Sequence, residues 1–190
     1  MFSKRFGALV IGLLASAGVA SAAPIGSVES ADRKDLQVAK DIVKSIDRYD
    51  HFTIFDDVSM NVNDGVVTLS GKVTMPYKRD DIDKRVSKVA GVTAVKDNIE
   101  VLPVSMLDDG LRYRIAQAIY RNPNFWNYAV MFNPPIHIVV ERGRVTLTGV
   151  VQSDVDRMLA RSLASDFGAF SVTSELKTNA EVRDALEQSK

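Results

Sequence analysis

The chain repeats itself, and the repeat constrains its fold more than any other feature. Residues 58–73 read VSMNVNDGVVTLSGKV and residues 136–151 read IHIVVERGRVTLTGVV. Offset by 78 residues, they share Val62/Val140, Gly65/Gly143, Val67/Val145, Thr68/Thr146, Leu69/Leu147, Gly71/Gly149 and Val73/Val151. Val58/Ile136 and Met60/Ile138 are conservative pairs. Chance does not give this over sixteen positions, so the chain is a tandem duplication and one fold must serve both halves.

Within a copy the hydrophobic pattern changes period. Val58, Met60 and Val62 alternate with Ser59, Asn61 and Asn63, which predicts a half-buried strand. Asp64-Gly65 follows as a hairpin turn, since glycine accepts positive φ without a Cβ clash. Val67, Leu69 and Val73 continue into a second strand. Copy two repeats this with Ile136, Ile138 and Val140, the turn Arg142-Gly143, then Val145, Leu147 and Val151. Gly71 and Gly149 interrupt the second strands, where glycine marks a bulge or a close backbone approach.

Helical spacing flanks each hairpin. Upstream run Val38, Ile42 and Ile46, matched by Leu111, Ile115 and Ile119. Downstream run Ile82, Val86 and Val89, matched by Leu159, Leu163 and Phe167, each stripe stopping at a glycine, Gly91 or Gly168. A last strand closes each copy, over residues 92–101 and 170–178. The expected class is α+β: two helix-strand-strand-helix-strand domains, each a three-stranded sheet with two helices on one face. The domains are assigned to residues 35–103 and 109–178, joined by a linker at 104–108. Residues 23–34 read as a flexible arm, and residues 179–190 as a tail able to form a short helix with Asn179 as N-cap. Units this small are marginal alone, so packing of the copies on each other is plausible.

The first 22 residues have a different character. Lys4 and Arg5 precede an uncharged, mostly apolar run from Phe6 to Ala20, and Ala20-Ser21-Ala22 offers small residues at −3 and −1. This is the pattern of a secretory signal peptide cut after Ala22, since a cut after Ala23 would put Pro24 at +1. The apolar run is short of the roughly 20 residues a bilayer needs. Losing Lys4 and Arg5 leaves 22 basic against 24 acidic residues, a net charge of −2. The chain has no cysteine, which removes thiol catalysis, thiolate metal sites and a lipid-modified cysteine at the cut. A periplasmic location is the expectation.

The charge balance argues against nucleic acid as a partner, because phosphate binding needs a basic face. Two histidines are available, His51 and His137, with no metal-ligand spacing between them. His137 stands between Ile136 and Ile138 in the strand alternation and so points away from the core face. "NVNDG" has the letters of a calcium loop and lacks its remaining ligands, so a tight turn explains it. "KRDDIDKR" pairs Asp80 with Lys84 and Asp81 with Arg85 at i,i+4 and reads as a solvated helix face. No catalytic constellation, cofactor motif or small-molecule site emerges, and the expectation is a protein that is not an enzyme.

Alternating strand, D/R-G turn, V-T-L-S/T-G-x-V, helix, glycine and closing strand together resemble the BON domain, and two exported copies resemble the tandem BON-domain periplasmic proteins. "VAGVTAVKDNIEV" fits the closing segment well, and "DFGAFSVTSELKT" departs from it at the residues after the glycine. The resemblance implies a non-enzymatic envelope-maintenance or stress role exerted by binding phospholipid surfaces. Two other roles it leaves open are chaperone-like contact with envelope proteins and a structural oligomerising module.

What is particular to copy two lies in "RNPNFWNYAVMFNPPI", residues 121–136. Phe125 and Tyr128 align with Phe52 and Phe55, and the offset then grows from 73 to 78, placing five extra residues at Ala129–Asn133. Two arrangements compete. In one, Phe125, Tyr128 and part of the insertion cover the core. In the other, Trp126, Met131 and Phe132 project as an apolar tip for a membrane or a protein. The candidate contact residues are Trp126, Tyr128, Val130, Met131 and Phe132. The fold-defining glycines are Gly65, Gly71, Gly143 and Gly149.

Overall fold

The computed structural model describes residues 5–6 and 25–187. Apart from Arg5 and Phe6, the expected leader lies outside the described residues. The first copy runs α1 (Ile25–Asp47), β2 (Asp57–Asn63), β3 (Val66–Val73), α2 (Pro76–Val86) and β4 (Ala94–Val101), with the two-residue strand β1 (Arg5–Phe6) pairing antiparallel to β2. The second runs α3 (Met106–Tyr120), a 3-10 turn (Pro123–Phe125), α4 (Trp126–Ala129), β5 (Ile136–Glu141), β6 (Arg144–Val151), α5 (Asp154–Ser165), β7 (Ser171–Ser174) and β8 (Lys177–Thr178), followed by α6 (Asn179–Glu187). The predicted order therefore holds in both copies. Each hairpin is antiparallel and each closing strand joins its central strand in parallel, with an intervening helix as crossover.

The two cores use corresponding positions. Val38, Ile42 and Ile46 of α1 close over Val58, Met60, Val62, Val67, Leu69 and Val73. Leu111, Ile115 and Ile119 of α3 close over Ile136, Ile138, Val140, Val145, Leu147 and Val151. The alternation in sequence is thus the inside and outside of one sheet face.

A device that the sequence reading missed pins each hairpin. The Asp35 carboxylate on α1 accepts the backbone N–H groups of Asp64 and Gly65 at 2.7 and 3.0 Å. Asp108 on α3 does the same for Arg142 and Gly143, both at 2.8 Å. Both central turn residues have positive φ, 49° and 75° in one copy and 51° and 74° in the other, the two-residue hairpin turn that suits strand twist. Asp35 and Asp108 stand 73 residues apart, in the register of the helical stripes, and that was the available signal. Gly71 is the expected close approach: with φ of 132°, a Cβ there would lie 2.1 Å from the Asp57 carbonyl oxygen.

Several expectations are corrected. α1 begins at Ile25, so most of the supposed arm is helix. The buried residues of α5 are Ala160 and Ala164, with Leu159, Leu163 and Phe167 only partly covered beside them. The last strand breaks at Glu175 and Leu176, because Leu176 turns into the core. The C-terminal helix is present, but its cap is Thr178. The Thr178 hydroxyl accepts from the Glu181 N–H at 3.2 Å, and the Glu181 carboxylate accepts from the Thr178 N–H at 2.8 Å, a capping box.

On α2 the side chains expected to pair at i,i+4 take other partners. Asp81 accepts from the Tyr49 hydroxyl at 2.8 Å, Arg85 lies over the Tyr49 ring, and Asp80 pairs with Arg79. Lys78 is not solvated at all: it is buried against Asp56.

The copies pack together. Ile138 N–H donates to the Ile54 carbonyl at 2.7 Å across the junction, the Asn133 amide donates to the Asp47 carbonyl at 3.0 Å, and Lys72 pairs with Glu141. Phe55 leaves its own copy and packs on the core of the other, edge-on to Tyr113. The outer edge of β5 is therefore covered by the loop that precedes β2, which removes an exposed strand edge.

Candidate functional site

The segment after α3 is shaped by two inward anchors and two prolines. Asn122 opens the 3-10 turn, its side chain accepting from the Asn124 N–H at 3.0 Å, with Pro123 at the first position. Phe125 is 0% exposed and Tyr128, three residues on and therefore on the same helical face, is 4% exposed. The Tyr128 hydroxyl accepts from Gln152 N–H at 2.7 Å and donates to Asp156 at 3.0 Å. Burial pushes this phenol up to about 12. Pro134-Pro135 then lead into β5, where the Tyr120 hydroxyl donates to the Ile136 carbonyl at 2.5 Å and accepts from the Ile136 N–H at 3.2 Å.

With both ends held, the residues between the anchors face water. Trp126 is 67% and Phe132 83% exposed, with Val130 and Met131 also exposed beside them. Four of the five candidate contact residues thus form an apolar tip. The fifth, Tyr128, is corrected to the core, because its ring packs there and its hydroxyl is held by Gln152, just past β6, and by Asp156 on α5. Both competing arrangements of this stretch are realised, divided residue by residue. Apolar exposure is not confined to the tip: Val104, Met106 and Leu107, at the linker and the start of α3, are also exposed.

Comparing the copies shows why the tip belongs to the second. In copy one the loop before β2 is organised by Asp56, which is 0% exposed. One carboxylate oxygen accepts from Thr53 N–H, the Thr53 hydroxyl and Lys78 Nζ, and the other from Thr74 N–H and the Thr74 hydroxyl, all within 2.8 Å. In copy two the positions of Asp56, Thr74 and Lys78 are held by Pro134, Gln152 and Asp156. Tyr128 takes over the task of satisfying the strand-end N–H, and the longer insertion carries the tip outward.

The second feature outside both cores is His137. It points away from the helices as expected, but the sister copy covers it. Its Nδ1 lies 2.7 Å from the Asp56 carbonyl oxygen and its ring contacts Phe52. A carbonyl only accepts, so Nδ1 carries the proton of the neutral ring. Burial pushes the imidazole below its ordinary range, opposed by the Asp56 carbonyl and carboxylate and by the Thr53 carbonyl. Lys72, Val139, Glu141, Arg142, Arg144 and Thr146 line a shallow cleft on the open side of the second hairpin. Among the described residues no group of three or more His, Asp or Glu is placed to hold a metal ion, and no helix is long and apolar enough to cross a membrane.

A family model for the BON domain matches residues 32–103 and again residues 108–180. No curated protein matches the chain. Among solved structures, a chain of CdsD, described as a structural protein of the type III secretion system of Chlamydia trachomatis, is 15% identical. It covers 78% of this chain and 96% of its own length, with a TM-score of 0.28. A second, the C-terminal domain of the same CdsD, is 14% identical over 73% of this chain and 96% of its own, also at 0.28. Likeness at that score carries no argument about arrangement or role.

Proposed function

The chain belongs to the BON-domain family, and from that membership we propose that it is a non-enzymatic periplasmic protein that binds phospholipid surfaces through copy two. The observation that carries the reading is the apolar tip. Trp126, Val130, Met131 and Phe132 are exposed together on a segment whose flanks are fixed by Phe125, Tyr128 and the Pro134-Pro135 lead. A rigid mount matters, because side chains already held outward lose less conformational freedom on insertion. Tryptophan and phenylalanine at such a tip suit the water–lipid boundary. The leader-like first 22 residues supply the route of export, with the cut after Ala22.

The test is sedimentation with vesicles of phosphatidylglycerol and phosphatidylethanolamine, with phosphatidylcholine vesicles as reference. Transfer of one large apolar side chain is worth about 1.5–3 kcal/mol, so Trp126→Ala should weaken binding about tenfold or more. Trp126 is the only tryptophan, so its emission should shift to the blue on adding vesicles. Absence of binding by the unaltered protein, or equal binding by the variant, removes the reading. Suppression of aggregation of an unfolded outer-membrane protein at equimolar ratio, without vesicle binding, would instead favour the protein-binding role.

A further inference from the structure

We propose that His137 makes the docking of the two copies acid-sensitive, so that protonating it releases the loop at residues 53–56 from the outer edge of β5. The geometry is that of a latch. The loop lies along β5 through two adjacent contacts, Ile138 N–H to the Ile54 carbonyl at 2.7 Å and His137 Nδ1 to the Asp56 carbonyl at 2.7 Å. His137 is 7% exposed, closed in by Phe52 from the loop side and by Thr148, its cross-strand partner, from β6. The Thr148 hydroxyl is itself buried and makes no hydrogen bond among the described residues.

The charged groups around the ring do not offer it a counter-ion. Asp56 presents its carbonyl to His137 while its carboxylate is fully engaged with Lys78, Thr53 and Thr74. Lys78 is itself a cation behind that carboxylate. On the hairpin of His137, Glu141 is taken by Lys72 and Arg144 is a further cation. Asp57, the first residue of β2, is engaged in an interaction of its own. Among the described residues, the side chains of Asp56, Lys78, Glu141 and Arg144 make no hydrogen bond or ion pair with the ring. A proton on His137 would therefore sit as a charge in a buried junction, met by the Asp56 and Thr53 carbonyls and by an Asp56 carboxylate that Lys78 already neutralises.

The sign follows from linkage. The docked ring holds its proton less well than an exposed histidine, whose ordinary value is about 6.5. The undocked form therefore binds more protons. Docking is complete above that value and is lost as pH falls below it, by up to about tenfold in the docking equilibrium per pH unit until the lowered value is reached. The Lys72–Glu141 pair cannot produce this window, because Glu141 is held below the ordinary carboxylate range and stays ionised there. Copy one has Ser59 at the corresponding position, so the latch exists once. Its opening would also free Asn133 from the Asp47 carbonyl, and with it the insertion that carries the tip. None of this depends on what the tip binds.

Hydrogen exchange of the Ile138 amide in the purified chain tests the latch, with the intrinsic pH dependence divided out. Between pH 7.5 and 5.5 its protection should fall about five- to tenfold in the unaltered protein and less than twofold in His137→Gln. The Thr93 and Glu175 amides, bonded within single copies to Gly65 and Leu147, should hold steady. No response at Ile138, or the same response in both proteins, overturns the proposal. Should the variant not fold, NMR titration of the His137 ring decides. A midpoint at or above about 6.5 overturns the latch, and a lower midpoint tracked by Ile138 exchange supports it.

Discussion

Replacing Asp56 by alanine should cost domain one most of its stability, and the structure sets the amount. The carboxylate is 0% exposed and accepts five hydrogen bonds. Asp56→Ala strands the Lys78 ammonium, itself 4% exposed, and leaves the N–H groups of Thr53 and Thr74 without acceptors. Breaking a buried pair on one side costs about 3–5 kcal/mol. The Thr74 hydroxyl, already 2.8 Å from Lys78 Nζ, relieves part of the charge, so about 4 kcal/mol is expected. Whole domains have about 5–15 kcal/mol, and one of about 70 residues lies at the low end. Urea unfolding followed by far-ultraviolet circular dichroism is the assay, since Trp126 is in the other copy and faces water. With a slope near 1 kcal/mol per molar for a unit this small, the midpoint of domain one should drop by roughly 4 M or vanish. Asp56→Ala with Lys78→Met removes the stranded charge and should recover at least about 2 kcal/mol relative to Asp56→Ala alone. A loss below about 1 kcal/mol, or a double variant no more stable than Asp56→Ala, would refute the account.

Neighbouring aromatics should behave oppositely: in urea unfolding Phe125→Ala should cost about 3–5 kcal/mol, while Trp126→Ala should change the stability by less than about 0.5 kcal/mol. Gly71→Ala should yield little folded protein, since its Cβ would meet a backbone oxygen at 2.1 Å in a left-handed conformation, and soluble yield with circular dichroism reads this directly. The Lys72–Glu141 pair should add at most about 1 kcal/mol. Its carboxyl is held low, first by the hydrogen bond from Lys72, so the contribution is present above the ordinary carboxylate value of about 4.3. It is lost as pH falls through the lowered value. Urea midpoints from pH 6 to 3 should therefore converge for the unaltered protein and Glu141→Gln.

Much of this was legible because the repeat reports everything twice. Strand alternation, the D/R-G turns and the strand glycines recur at one offset, and each is a local consequence of a single buried sheet face. The helical stripes were legible at Ile42, Ile46, Ile115 and Ile119 and only in part on α5, where Leu159, Leu163 and Phe167 do pack against the core but are not its deepest residues. There the small residues Ala160 and Ala164 sit deepest, because the helix packs close, and the larger leucines flank them. The tip was legible as a difference between the copies, through the five-residue insertion, but not as a division of labour. Phe125, Trp126 and Tyr128 are all aromatic, and composition does not say which faces in.

By itself, then, the sequence determined two equal α+β units and the position within each of its strands, turns and core-facing residues, because period and burial are coupled within a continuous segment. Tertiary structure alone decided where polar and aromatic side chains go when their partners lie far along the chain. Lys78 is buried because Asp56, 22 residues earlier, waits for it. Phe55 joins the other copy's core, and His137 is sealed by a carbonyl 81 residues away. No periodicity encodes such contacts. They exist only once segments distant in the chain have met, and burial at those meetings gives Lys78 and His137 surroundings their neighbours in sequence do not predict.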